Sequence, residues 1–285
     1  MKKLLVLFAF IGTQTAFAFP LPSAIEAASQ LDMIVTSAPL DGGDFTAIVA
    51  LNNCSGSLVR FESSLGMDQA MVLTNGHCFE GGFMKPGEAK VNIPSSRGFN
   101  LLNKEGTRTL GRLTADRVVY GTMTGTDMTL YRLKQTYDDI EKDFGTQALT
   151  FSSRRSAVGR KIIIASGYWK KIYRCAIDKF IFELHEADWT FKDSIRYSSP
   201  GCETIHGTSG SPIIDAETRE VVGINNTGND DGEKCTMDNP CEVDENGNIT
   251  VIHHASYGQQ TYWIYSCLAR GHELDLTKPG CELPH

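Results

Sequence analysis

The chain has no basic block. Its 27 Lys and Arg are outnumbered by 34 Asp and Glu, a formal net charge of −7. An acidic chain without a cationic stripe argues against nucleic acid or an anionic membrane surface as its partner. Long apolar runs are missing too: residues 4–11 are apolar but too short for a membrane span. No internal repeat and no Pro/Ser-rich linker divides the chain. Helical periodicity is scarce, which argues against a helical bundle. Cysteine and histidine pairs with zinc-ligand spacing are absent, since neither Cys235 with Cys241 nor His253 with His254 has it. No metal and no cofactor is therefore expected.

What is present points to an exported, strand-rich protein. Met1-Lys2-Lys3 is a charged start, residues 4–11 an apolar core, and Ala16-Phe17-Ala18 a small-x-small cleavage site. Together they read as a secretory signal peptide over residues 1–18. Its removal takes away Lys2 and Lys3, moves the net charge from −7 to −9 and leaves 267 of 285 residues. The mature chain is expected to be secreted or periplasmic, monomeric and free of the membrane. All eight cysteines, at 54, 78, 175, 202, 235, 241, 267 and 281, lie in the exported part, and an even number there makes disulfides the default.

Residues 19–44, with Pro20, Pro22, Pro39 and Gly42-Gly43 around a short helical stretch, read as a propeptide or an ordered N-terminal extension. From Phe45 onward, short apolar or alternating runs recur between Gly, Asn and Ser: 46–51, 57–61, 70–74, 89–93, 117–120, 128–133, 161–165, 172–176, 180–184, 213–214, 221–225 and 248–253. Strands this short and this frequent indicate an all-β barrel or sandwich. Residues 259–269 alone look helical. Residues 228–248 are rich in Asp, Glu, Asn and Gly, and are expected to form a solvated loop stapled by a disulfide. Asp230, Asp231, Asp238 and Asp244 offer oxygen ligands for calcium, but the glycine is misplaced for an EF-hand loop.

Three stretches carry chemistry. "GTSGSPIID", residues 207–215, is either a turn entering a strand or a glycine-held loop that projects the Ser209 hydroxyl among converging N–H groups. "LTNGHCF", 73–79, puts His77 at the end of an apolar run, and "GTDMTLYRL", 125–133, puts Asp127 at the mouth of another. A serine hydroxyl is a poor nucleophile until a base takes its proton. An imidazole does this best when a carboxylate fixes its tautomer. Singly, these are ordinary turn and surface residues; together they are nucleophile, base and orienting acid.

The three motifs resemble those of the trypsin/chymotrypsin-like serine peptidases: "T-A-x-H-C" for the base, "D-x-A-L-x-x-L" for the acid and "G-[DN]-S-G-[GS]-P" for the nucleophile. Here they stand as Thr74-Asn75-Gly76-His77-Cys78, Asp127-Met128-Thr129-Leu130-Tyr131-Arg132-Leu133 and Gly207-Thr208-Ser209-Gly210-Ser211-Pro212, in the family's order. Cys54-Ser55-Gly56-Ser57-Leu58-Val59 is similar to the family's "C-G-G-S-L-I" strand. The resemblance implies two six-stranded antiparallel β-barrels, to which the run at 259–269 adds a C-terminal helix, over a peptidase domain at 45–285. It implies a catalytic triad of His77, Asp127 and Ser209, an oxyanion hole from the N–H groups of Gly207 and Ser209, and a Cys54–Cys78 disulfide. Cys175–Cys202 would bracket the segment before the nucleophile, and proximity suggests Cys235–Cys241 and Cys267–Cys281. Thr208 stands where trypsin has the Asp that receives a new N-terminal amine. This places the chain nearer the bacterial V8-like branch, whose oxyanion loop is held in other ways.

The resemblance also implies substrate contacts. Glu203 occupies the position at the floor of the primary specificity pocket, where it would favour a basic side chain, or it points away on a surface loop. Thr204 would line the same pocket. Asn225 stands where glutamyl-specific relatives carry a His, and Gly228 fits the strand edge that pairs with substrate backbone. His206 lies near the pocket rim. The function implied is a secreted endopeptidase acting on proteins or peptides through an acyl-enzyme. The alternatives are a silent zymogen or binding protein on the same fold, and an esterase.

Overall fold

The computed structural model describes residues 43–284. The signal-peptide reading of 1–18 and all but the last two residues of the 19–44 extension lie outside the described residues. Two β-sheets make up the fold. The first contains β1 (Ile48–Ala50), β2 (Ser55–Arg60), β3 (Gln69–Thr74), β4 (Ala89–Pro94), β5 (Gly98–Leu102), β6 (Thr109–Thr122), β7 (Met128–Thr136) and β8 (Leu149–Thr150). In the order β1-β5-β6-β7-β3-β2, β1 pairs again with β2 and closes a six-stranded barrel. Strand β4 adds to β6, and β8 lies parallel to β2.

The second sheet contains β9 (Lys161–Ser166), β10 (Lys171–Glu186), β11 (Trp189–Tyr197), β12 (Pro212–Asp215), β13 (Val221–Gly228), β14 (Cys241–Val243), β15 (Ile249–Thr250) and β16 (Ser256–Gln260). The order β11-β16-β13-β12-β9-β10 returns on itself. The long β10 pairs with β9 over its first part and with β11 over the rest. Both rings bury the inward half of alternating strands: Leu58, Leu73, Leu101, Leu113 and Leu130 in the first, Ile164, Ile177, Ile195 and Ile213 in the second. Each such side chain contributes about 1.5–3 kcal/mol through its burial.

Five strands have no counterpart among the expected runs. Strand β16 is buried yet polar: Gln259 exchanges hydrogen bonds with Ser194, and Gln260 donates to the Asp193 carbonyl. This corrects the expected C-terminal helix over 259–269. Its first two residues belong to β16, and Tyr262–Cys267 winds as a 3-10 helix that buries Trp263, Ile264 and Cys267. The run expected at 248–253 shrinks to β15. Strands β5, β8, β11 and β14 are the other four without an expected counterpart. Among the described residues the α-helix is elsewhere, at α1 (Tyr137–Phe144), with a capping box between Thr136 and Asp139 and left-handed Gly145 as its C-cap.

The disulfides are Cys54–Cys78, Cys175–Cys202, Cys235–Cys241 and Cys267–Cys281. The first ties the entry of β2 to the segment after β3, and the second ties β10 to the segment before Ser209. Among the described residues no helix is long and apolar enough to cross a membrane.

Candidate active site

His77 follows the end of β3, and Asp127 immediately precedes β7, which pairs with β3. Their approach is possible because residue 76 is glycine. A Cβ there would sit 2.0 Å from the Thr122 carbonyl oxygen and 2.9 Å from Asp127 Oδ1. Asp127 is 1% exposed and fully engaged: Oδ1 accepts the N–H groups of Gly76 (2.5 Å) and His77 (3.0 Å), while Oδ2 meets His77 Nδ1 at 2.7 Å. Asn75 Nδ2 donates to the Asp127 carbonyl at 2.8 Å. With Nδ1 committed to the carboxylate, Nε2 is the imidazole atom left to take a proton. Burial alone would disfavour the imidazolium. The charge and hydrogen bond of Asp127, with smaller contributions from Glu186 and Asp238, outweigh it and raise the His77 pKa above its usual value.

Ser209 sits between two glycines in the left-handed region, Gly207 (φ 84°) and Gly210 (φ 82°). At 210 only glycine fits, because a Cβ would lie 2.2 Å from the Ser55 carbonyl. The loop is pinned by Ser55 N–H to Ser209 O (2.8 Å) and Gly210 N–H to Asn225 O (3.0 Å). Trp169 Nε1 donates to the His206 carbonyl at 2.6 Å, and in a planar trans peptide this turns the Gly207 N–H the opposite way. No acceptor within the described protein engages the N–H of Gly207 or Ser209. Ser209 Oγ itself donates to the Asn226 carbonyl at 3.2 Å, and no hydrogen bond joins it to His77. His77, Asp127 and Ser209 all line one cavity of about 390 Å³.

Thr208, at the position of trypsin's Asp, is 1% exposed. Its hydroxyl donates to the Ile205 carbonyl and accepts Asn225 Nδ2 at 3.1 Å, and Asn225 Oδ1 accepts the Tyr197 hydroxyl at 3.0 Å. A neutral chain of side chains thus holds the loop where trypsin uses an ion pair. Asn225, expected to touch substrate, lies in the cavity wall with both amide atoms committed to this chain.

Glu203 is placed differently from the pocket-floor expectation. It is exposed and absent from the cavity wall, and its carboxylate accepts the Gly201 N–H and the Ser199 hydroxyl, which hold its pKa low. The tight turn around Gly201 (φ 136°) offers a nearer partner than the pocket. Thr204 and Gly228 do line the cavity, as does His206, paired at the rim with Asp230 at 2.9 Å. Strand β12 pairs with β13 only as far as Ile224, so one edge of 226–228 is left open.

Sequence reasoning missed Glu186, Phe83, Trp189 and Met237, all in the cavity wall. Glu186 ends β10 and faces inward, a position legible only once the β10–β11 hairpin is known. Burial pushes its pKa up to about 7, against hydrogen bonds from Asp238 and Thr227. No lysine or arginine lines the cavity among the described residues. For a metal, the one tight His/Cys group described, Cys54, His77 and Cys78, has both sulfurs tied in a disulfide and offers no thiolate.

A two-barrel β fold that sets an imidazole–carboxylate pair and a glycine-flanked serine in one cavity defines a serine-peptidase architecture. Residues 54–224 match the trypsin-like peptidase domain, and the chain belongs to that family. Among solved structures it is similar to the MamO protease domain of Magnetospirillum magneticum, at 15% identity, covering 80% of this chain and 98% of that one with a TM-score of 0.48. It is also similar to the active form of the Rv3671c protease of M. tuberculosis (14%; 99% and 97%; 0.44) and to a Glu endopeptidase (13%; 78% and 88%; 0.41). No curated protein matches the chain.

Proposed function

We propose that the chain is an exported serine endopeptidase, with a leader over 1–18 and its peptidase domain over 45–285, acting as a monomer on proteins or peptides. The observation that carries the reading is the fully hydrogen-bonded Asp127, which fixes His77 beside the cavity that Ser209 also lines. A substrate strand lies along the open edge of 226–228. Ser209 Oγ rotates from the Asn226 carbonyl, attacks the scissile carbonyl carbon and gives its proton to His77 Nε2. The oxyanion so formed is held by the N–H groups of Gly207 and Ser209. His77 then protonates the leaving amine, the C–N bond breaks, and water activated by His77 releases the acyl group.

A latent form is favoured by one observation, the Ser209 hydroxyl resting on Asn226 instead of His77. The end of the extension is anchored, with Asp44 paired to Arg219 at 3.2 Å and accepting the Thr46 N–H, so an activating cut falls before Asp44. The test is hydrolysis of an unfolded protein and of a small ester by the full chain and by a chain beginning at Asp44. Ser209→Ala and His77→Ala serve as controls. Cleavage of both substrates that needs both residues supports an endopeptidase, ester cleavage alone an esterase, and activity only after trimming a zymogen. No hydrolysis by either form refutes the reading.

A further inference from the structure

The chemistry at Ser209 leaves Glu186 unused. This carboxyl is 7% exposed in the cavity wall. One oxygen, Oε1, takes both of its donors, the Thr227 hydroxyl at 3.0 Å and the Asp238 N–H at 2.9 Å; among the described residues Oε2 has no hydrogen-bond partner. No lysine or arginine stands beside it in the cavity wall, although the charge of His77 reaches it. Beside it runs an aromatic rim. Trp189 faces Glu186 across the β10–β11 hairpin, Phe83 meets Trp189 edge-on at 5.7 Å, and His77 meets Phe83 at 6.0 Å. Phe83 is 53% exposed. The bay therefore has apolar walls, the base at one end and a half-open carboxyl at the other.

We propose that this bay is a subsite for one lysine or arginine side chain of the substrate, with Glu186 as its counter-ion. The proposal rests on the peptidase reading only in that the substrate lies along 226–228. A four-carbon ammonium stem or a guanidinium suits the bay for three reasons: its methylenes cover Phe83 and Trp189, its charge is attracted by their faces, and its head reaches Oε2. Burial disfavours the ionised Glu186, and a cation beside it reverses that. Basic preference thus resides on Glu186, beside His77, and not on Glu203.

The test reads binding, so that turnover is not required. Peptides carrying one Lys, or norleucine at the same place, at each of six successive positions are titrated calorimetrically into the full chain bearing Ser209→Ala. At one position, and at pH 8, the Lys peptide should bind roughly tenfold tighter than its norleucine counterpart. The ratio should fall toward one at pH 6, as Glu186 takes up its proton, and in Glu186→Gln, whose amide oxygen can still accept from Thr227 and Asp238. His77, Asp127, Asp238, His206 and Asp230 are the other ionisable groups in the cavity wall, and because a protonated His77 repels a Lys but not a norleucine, the pH series is repeated in His77→Ala, where the fall toward one should persist. A ratio near one at every position, a Lys preference that survives both Glu186→Gln and pH 6, or no binding of any peptide overturns the proposal. Should Glu186→Gln fail to fold, the pH series decides alone. Failure of the peptidase reading shows separately, as absence of hydrolysis by chains with native Ser209.

Discussion

Trp169→Phe isolates the contribution of a single hydrogen bond to the proposed oxyanion hole. Phenylalanine keeps a ring against Tyr168, whose own ring lies 5.0 Å away edge-on, but removes the N–H that holds the His206 carbonyl at 2.6 Å. Gly207, at φ 84°, imposes little resistance to rotation of that peptide. The lost bond has a net worth of about 1–1.5 kcal/mol, which lets the His206–Gly207 peptide turn its N–H out of the cavity for part of the time. Complete loss of one oxyanion donor costs about 3 kcal/mol, or roughly 100-fold in kcat, and this sets the ceiling. We expect kcat to fall by about 5- to 13-fold with KM changed by less than about twofold. A peptide boronate, which forms the tetrahedral adduct, should lose affinity by the same factor. The assay is steady-state hydrolysis of a small ester together with boronate inhibition. An unchanged kcat with unchanged boronate affinity, or a loss confined to KM, refutes the idea that Trp169 orients the donor.

Asp238→Asn removes one of the negative charges that raise the His77 pKa, so the imidazole loses its proton at lower pH. The acid limb of a kcat/KM profile should move to lower pH, and a shift upward or none at all contradicts the assignment. Asn225→Ala strips the Tyr197 hydroxyl of its acceptor and Thr208 of a donor, at a cost of roughly 2–3 kcal/mol, or about 4–10 °C in Tm by calorimetry. Gly76→Ala drives a Cβ to 2.0 Å from the Thr122 carbonyl and should displace His77. Hydrolysis should be lost even if all four disulfides form, as checked by thiol titration. Full activity in that variant would show that His77 is not placed by this close approach.

Much of the barrel architecture is legible because short apolar runs report strands buried on both faces. The runs at 70–74, 128–133 and 221–225 coincide with or fall inside β3, β7 and β13. Strand β16 was illegible for the converse reason. Its buried side chains include Gln259 and Gln260, hydrogen-bonded to Ser194 and Asp193 on another strand, so hydropathy carries no trace of them. Helix α1 was overlooked although Thr136, Asp139 and Gly145 mark both its ends, since eight residues hold too few turns for periodicity to show. At the site, His77, Asp127 and Ser209 stand in motifs whose neighbours are dictated by backbone approach, which is why glycines mark them. Glu203 and Glu186 show where motif reading stops. Position relative to Ser209 leaves the first either on the pocket floor or on a surface loop, and its side chain takes the surface course, accepting the Gly201 N–H. The second enters the cavity through a hairpin pairing that no local pattern encodes.

The account stands or falls on whether Ser209 is an activated nucleophile. The direct measurement is exposure of the folded full chain, and of the chain beginning at Asp44, to a fluorophosphonate, followed by intact-mass analysis and peptide mapping. The account predicts one adduct, located on Ser209, absent in His77→Ala and slowed in Asp127→Asn. No adduct in either form, or an adduct on Ser209 that persists at the same rate without His77, would contradict it.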